Sequence, residues 1–189
     1  MSRLALALVL IAGTASADEP AKVKKDLARS GKAVTTRARA VAGTRPAKLV
    51  NLYNTWTHEW LAVEPGLWPA KPTLDRFLRD HYTSEPTAME PRLVEIVVAA
   101  AQHFQADTVL IVSAFRHEKY NLILRKKGHQ VARDSAHTKG NAIDFQLPNV
   151  TTKALHAWAR AQQIGGVGLY LDSGFIHMDT GKIRYWSGD

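Results

Sequence analysis

The chain changes character at residue 49: the basic stretch before it has little that could build a hydrophobic core, and the segments patterned like a folded domain lie beyond it. Residues 18–48 carry nine Lys and Arg against Asp18, Glu19 and Asp26, a net charge of +6, with almost no aromatic or long aliphatic side chain. Such a segment cannot bury enough apolar surface to offset the entropy of ordering it. It reads as a solvated, largely disordered basic tether with room for a short helix. Its charge suits attraction to anionic wall polymers or a membrane surface, worth about 1 kcal/mol per basic residue near such a surface. A plain soluble linker accounts for the same composition. Residues 49–189 are close to neutral, and one domain with a real core is the expectation for them.

The first residues, Met1-Ser2-Arg3, precede an apolar run over 4–12 and then Gly13-Thr14-Ala15-Ser16-Ala17. A basic start, a short apolar stretch and a small-x-small end predict a secretory signal peptide over residues 1–17. The run is too short for a membrane span, which needs about 20 apolar residues. With one arginine and no pair, a twin-arginine route is not indicated. The expected location is a bacterial periplasm or cell envelope, where nucleic acid is a poor partner and no transmembrane segment is expected. The chain has no cysteine. That removes disulfides, a lipid-anchor cysteine and thiolate metal sites, and leaves only His and carboxylate ligands.

Beyond residue 49 the pattern predicts an α+β domain, helices packed on a central antiparallel sheet. Residues 49–53 and 59–63 read as a hairpin. A helix over 73–82 would place Leu74, Phe77, Leu78 and His81 on one side. Pro91 opens a stronger helix, and Thr108-Val109-Leu110-Ile111-Val112 is a buried strand. A short helix over 118–127 closes at Gly128. Residues 142–147 form a strand with Ile143, Phe145 and Leu147 inward and Asp144 on the other face. A helix capped by Thr151 follows. Three short strands at 167–170, 175–179 and 183–186 are expected to make an antiparallel meander.

The chemistry concentrates in Ser135-Ala136-His137-Thr138-Lys139-Gly140-Asn141-Ala142-Ile143-Asp144 and in Phe175-Ile176-His177-Met178-Asp179-Thr180-Gly181. Two imidazoles and a carboxylate suit a catalytic zinc, which takes three protein ligands and keeps a fourth position for water. Residues i and i+2 of a strand share a face, so His177 and Asp179 point the same way. The other six histidines have no partner at a persuasive spacing. His117-Glu118 fails the H-E-x-x-H zinc pattern, because Asn121 stands where the second histidine belongs.

Ser-x-His-x-x-Gly-x-Ala-x-Asp followed by His-x-Asp resembles the metallopeptidase group of lysostaphin, D-Ala-D-Ala peptidases and Sonic hedgehog. More closely the chain resembles the YcbK/MepK-like murein endopeptidases. The likeness runs through Thr55-Trp56-Thr57-His58-Glu59, Leu78-Arg79-Asp80-His81, Ser113-Ala114-Phe115-Arg116, Gly165-Gly166-Val167-Gly168 and Arg184-Tyr185-Trp186. It implies a hedgehog/D-Ala-D-Ala-peptidase-like fold and one zinc per chain, held by His137, Asp144 and His177. Two departures stand out. VanX-like dipeptidases carry a glutamate three residues before the second histidine as general base, and here that position is Gly174. The close relatives usually read Ser-Gly-Tyr-Arg where this chain has Ser113-Ala114-Phe115-Arg116.

With Gly174 in the base position, Asp179 is the expected proton acceptor and Asp172 the second choice. Arg116 is expected to offset charge on the tetrahedral intermediate or to grip a substrate carboxylate. Tyr170 is a candidate for the substrate-binding wall, and Ser135 is expected to fix the His137 loop. The implied activity is zinc-dependent cleavage of peptide cross-links in peptidoglycan, with stem peptides as partners and the L,D bond between diaminopimelate residues as the target. The alternatives are a D,D- or L,D-carboxypeptidase on stem peptides, or a non-catalytic wall-binding module with a vestigial zinc site.

Overall fold

Alternating burial marks the first strand, β1 (Val50–Asn54), which turns Val50, Leu52 and Asn54 inward. The computed structural model describes residues 48–129 and 131–188. The expected export signal and all but the last residue of the expected tether lie outside the described residues. β1 forms the expected hairpin with β2 (Trp60–Val63), in antiparallel register from Val50 opposite Val63 to Tyr53 opposite Trp60.

Helix α1 (Lys71–Phe77) buries Leu74 and Phe77 but ends earlier than the sequence pattern predicts. The reason is Asp80, whose Oδ2 accepts hydrogen bonds from the Thr83 amide at 2.7 Å and its hydroxyl at 2.8 Å. A side chain that captures nearby backbone donors competes with the helix. His81 therefore sits on a turn and not on the face of α1.

Pro91 opens helix α2 (Pro91–His103), whose Leu93, Val94, Ile96, Val97 and Ala101 are buried. Strand β3 (Thr108–Ser113) follows, then helix α3 (Glu118–Lys126), a 3-10 turn (Ala136–Lys139) and strand β4 (Ala142–Gln146). Thr151 caps helix α4 (Thr152–Ala161) through its hydroxyl, which accepts from the Ala154 amide at 3.2 Å. The chain finishes with β5 (Gly166–Tyr170), β6 (Phe175–Asp179) and β7 (Arg184–Gly188).

The seven strands form one sheet in the order β2-β1-β3-β4-β6-β5-β7. Its central pairings, β3 with β4, β4 with β6 and β6 with β5, are antiparallel. β1 with β3 and β5 with β7 are parallel, so the sheet is mixed. The last three strands are not the expected meander. β6 is flanked by β4 and β5, which leaves β7 only the outer edge of β5. To reach it, the link over 180–183 crosses the start of β5. A Cβ at Gly165 would collide with the Asp179 carbonyl, and one at Gly166 would lie 2.5 Å from Asp179 Oδ2. Glycine at both positions makes the crossing possible.

Helices α2 and α4 pack against the sheet and each other. Val97, Ala101, Ile143, Phe145, Leu155, Ile176 and Met178 join in one buried cluster with Leu52 and Ile111. Ile143 and Phe145 face this core, so Asp144 between them faces away, as the strand period requires.

Candidate metal centre

Cross-strand register lines up five residues: Ser113 lies opposite Asp144, Asp144 opposite His177, His177 opposite Gly168, and Gly168 opposite Trp186. A row of partners across a sheet presents its side chains to one face. The hydrophobic pattern that buries Ile143, Phe145, Ile176 and Met178 thereby forces Asp144 and His177 together. Gly168 leaves room for the Trp186 ring, which would be 2.6 Å from a Cβ there. That ring centre lies 5.2 Å from the His177 ring centre.

His137 arrives from the 3-10 turn. Ser135 Oγ accepts from the His137 amide at 3.3 Å, and Gly140 closes the turn at φ +69°. A Cβ at Gly140 would sit 2.6 Å from the Ala88 carbonyl oxygen, so only glycine fits. The Arg116 amide donates to the His137 carbonyl at 3.2 Å, tying the turn to the end of β3.

Three ligand atoms converge. His177 Nδ1 is 2.9 Å from Asp144 Oδ1 and 3.1 Å from His137 Nε2, and His137 Nε2 is 3.3 Å from Asp144 Oδ1. Around a tetrahedral zinc with bonds of about 2.0–2.1 Å, ligand atoms are about 3.3 Å apart. The far edge of each imidazole fixes its tautomer. His137 Nδ1 donates to the Ala114 carbonyl at 2.6 Å, which leaves Nε2 as a lone pair. His177 Nε2 donates to Asp179 Oδ2 at 3.1 Å, which leaves Nδ1 as a lone pair when the ring is neutral. Two nitrogen lone pairs and a carboxylate then point at one spot, an arrangement that a cation relieves. Histidine and carboxylate, with no thiolate, fit zinc or another borderline divalent ion. Among the described residues, His137, Asp144 and His177 are the group that could hold a metal ion.

Without a metal, protons do this work. Burial pushes Asp144 up, but His137 and His177 outweigh it and hold the carboxyl well below the usual range. Burial pushes His137 down, against the pull of Asp144. Burial also opposes the charged form of His177, yet Asp144 and Asp179 on its two edges raise it to about 9.

Asp179 shares the face of His177, as the strand period predicts, and hydrogen-bond donors surround its carboxylate. It is 1% exposed and lies outside the cleft lining. Besides His177 it accepts from the Gly166 amide at 3.1 Å, the Gly181 amide at 2.8 Å and Arg184 Nη2 at 2.7 Å. Burial raises its carboxyl, and these donors outweigh burial and hold it low. A carboxylate on the outer nitrogen of a ligating histidine fixes that ring and raises its basicity. Asp172 does not line the cleft either.

The metal group opens into a cleft of about 800 Å³. Arg116 lines it, with Nη2 3.4 Å from Ser113 Oγ and 3.9 Å from Asp144 Oδ2. Its Nε is buried without a partner among the described residues, so the guanidinium has donors to spare. Tyr170 lines the opposite wall, where its hydroxyl accepts from Trp186 Nε1 at 3.1 Å and its ring stacks on Phe175 at 4.7 Å.

Trp56, His81, Tyr120 and Arg184 also line the cleft, and sequence reasoning did not single them out. Trp56 stacks on His81 with ring centres 4.2 Å apart, and His81 meets Tyr120 edge-on at 4.7 Å. Burial presses the His81 pKa down, Asp80 resists and Arg116 adds to the lowering, which favours the neutral ring. The signal for Arg184 was in Arg184-Tyr185-Trp186, but its role depends on the parallel pairing of β7.

A family model described as Peptidoglycan L,D-endopeptidase MepK matches residues 40–186. The "Probable peptidoglycan L,D-endopeptidase MepK" of Haemophilus influenzae is 31% identical over 156 residues, covering 79% of this chain and 84% of that protein. The "Peptidoglycan L,D-endopeptidase MepK" of Escherichia coli K12 is 29% identical over 157 residues, covering 80% and 86%. No solved structure is a significant match. Because the matched stretch contains every residue of the metal group and of both cleft walls, the chain belongs to the peptidoglycan L,D-endopeptidase MepK family of metal-dependent peptidases.

Proposed function

We propose that this protein is a zinc endopeptidase of the cell envelope that hydrolyses peptide cross-links of peptidoglycan, at the L,D bond that the relatives' names specify. The observation that carries this reading is the convergence of His137 Nε2, His177 Nδ1 and Asp144 Oδ1, each oriented by a hydrogen bond or ion pair on its far side. An endopeptidase needs room on both sides of the scissile bond. The cleft extends from the metal group toward Trp56 and Tyr120 on one side and Tyr170 and Trp186 on the other, which favours the endopeptidase over a carboxypeptidase. On the same reading, residues 1–17 are the export signal, and 18–48 a basic tether near the wall or membrane surface. Among the described residues no helix is long and apolar enough to cross a membrane.

His137, Asp144 and His177 would hold the zinc, which when bound polarises a carbonyl and lowers the pKa of a water to about 7. Asp179, clamped by Arg184 and two backbone amides, keeps the His177 proton on Nε2 and so keeps Nδ1 free. Arg116 presents its positive charge where the scissile carbonyl oxygen becomes negative. Tyr170 forms part of the wall against which the stem peptide lies. For the proton acceptor, His81 on the cleft, with its ring held by Trp56 and Tyr120, is preferred to the buried Asp179. It takes the proton of the attacking water and returns it to the leaving amine.

The test is a digest of L,D-cross-linked muropeptide dimers with zinc-loaded protein, read by chromatography. Monomer products support the reading. Loss of a terminal residue with the cross-link intact would favour the carboxypeptidase. An untouched substrate that nevertheless binds would favour the wall-binding module.

A further inference from the structure

Four rings from three separate parts of the chain form a continuous ladder at the mouth of the metal cleft. Trp56 stacks on His81 at 4.2 Å and 9°, His81 meets Tyr120 edge-on at 4.7 Å, and Tyr120 stacks on Tyr82 at 5.4 Å and 15°. The two ends of the ladder are open to solvent, Trp56 at 54% exposure and Tyr82 at 56%. Both are held rigidly. Trp56 Nε1 donates to the Val112 carbonyl at 2.7 Å, and Asn54 Oδ1 accepts from the Trp56 and Thr57 amides at 3.0 and 3.1 Å. Tyr82 stands on the turn that Asp80 locks. The Tyr82 and Tyr120 hydroxyls and the His81 nitrogens make no hydrogen bond among the described residues.

Nothing in the packing of the core requires these rings. Large aromatic faces are expensive to leave wet, and a fixed, exposed set of them marks a binding surface. The ligand must offer a flat apolar face beside polar edges, because the ladder presents ring faces with hydroxyls and imidazole nitrogens around them. It must also be continuous with whatever occupies the metal cleft, since Trp56, His81 and Tyr120 line it. A pyranose ring has this form: axial C–H bonds make an apolar face, and equatorial hydroxyl and acetamido groups make a polar rim. On the reading given under Proposed function, the substrate peptide is itself attached to such a ring. Two residues separate the cross-linking third residue from the sugar, about 7 Å of extended chain at about 3.3–3.6 Å per residue.

We infer that Trp56 and Tyr82, with His81 and Tyr120 as the rungs between them, form a saccharide-stacking subsite that binds an N-acetylated hexose of the glycan carrying the stem peptide. This inference rests on the peptidase reading for its substrate, but the binding site can be tested without turnover.

The first measurement is titration of the full-length zinc-loaded protein with the peptide-free N-acetylglucosaminyl-N-acetylmuramic acid disaccharide, followed by tryptophan fluorescence and by NMR. Wild-type protein should bind it. Trp56→Ala and Tyr82→Ala should each weaken binding about 3–10-fold, the range expected for one aromatic stacking contact, and Trp56→Phe should recover most of the loss. The second measurement compares kcat/KM on cross-linked muropeptides with and without their sugars. Wild-type protein should prefer the sugar-bearing form, and each alanine variant should move the ratio toward one. Any effect of Trp56→Ala on the catalytic centre itself cancels in that ratio. Disaccharide binding unchanged in both alanine variants, or a wild-type ratio of one, would overturn the subsite. If the disaccharide binds through Trp56 while no peptide is cut, the subsite stands and the peptidase reading fails.

Discussion

Asp179 Oδ2 lies 3.1 Å from Nε2 of His177, on the edge of the imidazole opposite the one that faces Asp144 and His137. One buried carboxylate therefore sets which nitrogen of His177 is available to a metal. With Arg184 and the Gly166 and Gly181 amides on the same carboxylate, its negative charge is fully engaged in holding that ring.

Asp179→Asn should therefore act first on the metal. Loss of such an orienting partner costs about 10–100-fold in metal affinity. Competition with a chromogenic chelator measures it directly. Wild-type affinity together with lost turnover would return Asp179 to the role of proton acceptor.

His81→Gln should leave the zinc content at about one per chain and lower kcat by about 10²–10⁴-fold, the usual contribution of general acid-base catalysis. Metal analysis and muropeptide kinetics on the same preparation check both halves. A wild-type kcat would remove His81 from the proton path.

That Asp144 and His177 lie away from the core was legible in the sequence because it rests on the most dependable local signal, the two-residue period of a strand. Ile143 and Phe145 had to face the core, so Asp144 had to face away, and the same logic coupled His177 to Asp179. What that period does not encode is which edge of the His177 ring each carboxylate meets. That depends on cross-strand register and on β7 joining β5, with the crossing at Gly165 and Gly166 bringing Arg184 onto Asp179. The helical spacing of Leu74, Phe77 and Leu78 predicts His81 on a helix face. Asp80 ends the helix by binding Thr83, a local competition that periodicity does not register. Trp56 and Tyr120 are 64 residues apart and meet around His81 only through tertiary packing.

The metal-free protein should show a distinctive pH dependence. His177 is raised from 6.5 to about 9, so its stabilising effect is complete below pH 6.5 and is lost as pH climbs through 9. Asp144 and Asp179 are shifted down, so their contribution is present above the ordinary carboxylate range and is lost as pH falls through their folded values. Tm of chelator-treated protein should be highest at about pH 6.5, decline toward pH 9 as His177 loses its proton, and decline on the acid side, where the down-shifted His137 and the carboxylates favour the unfolded chain. Zinc must displace the His177 proton, so zinc affinity should rise about tenfold per pH unit below that pKa and level off as pH reaches 9. A flat Tm from pH 6.5 to 9 would contradict the buried carboxylate–imidazole arrangement.

Deleting residues 18–48 should leave activity on soluble muropeptides intact and weaken adsorption to whole sacculi, because the segment carries a net charge of +6. Screening shortens to about 3 Å at 1 M salt, so the difference between full-length and shortened protein should vanish as salt rises. Equal adsorption at low salt would leave the segment a plain tether.

On the proposed function, cleavage of peptidoglycan cross-links depends on a zinc held by His137, Asp144 and His177. The most direct test is to digest purified L,D-cross-linked muropeptide dimers with protein as isolated, after stripping with a chelator, and after adding back one equivalent of zinc. Dimers should fall to monomers with the native protein, survive the stripped protein, and be cleaved again once zinc is restored. Cleavage by the stripped protein at the native rate would contradict the metal centre.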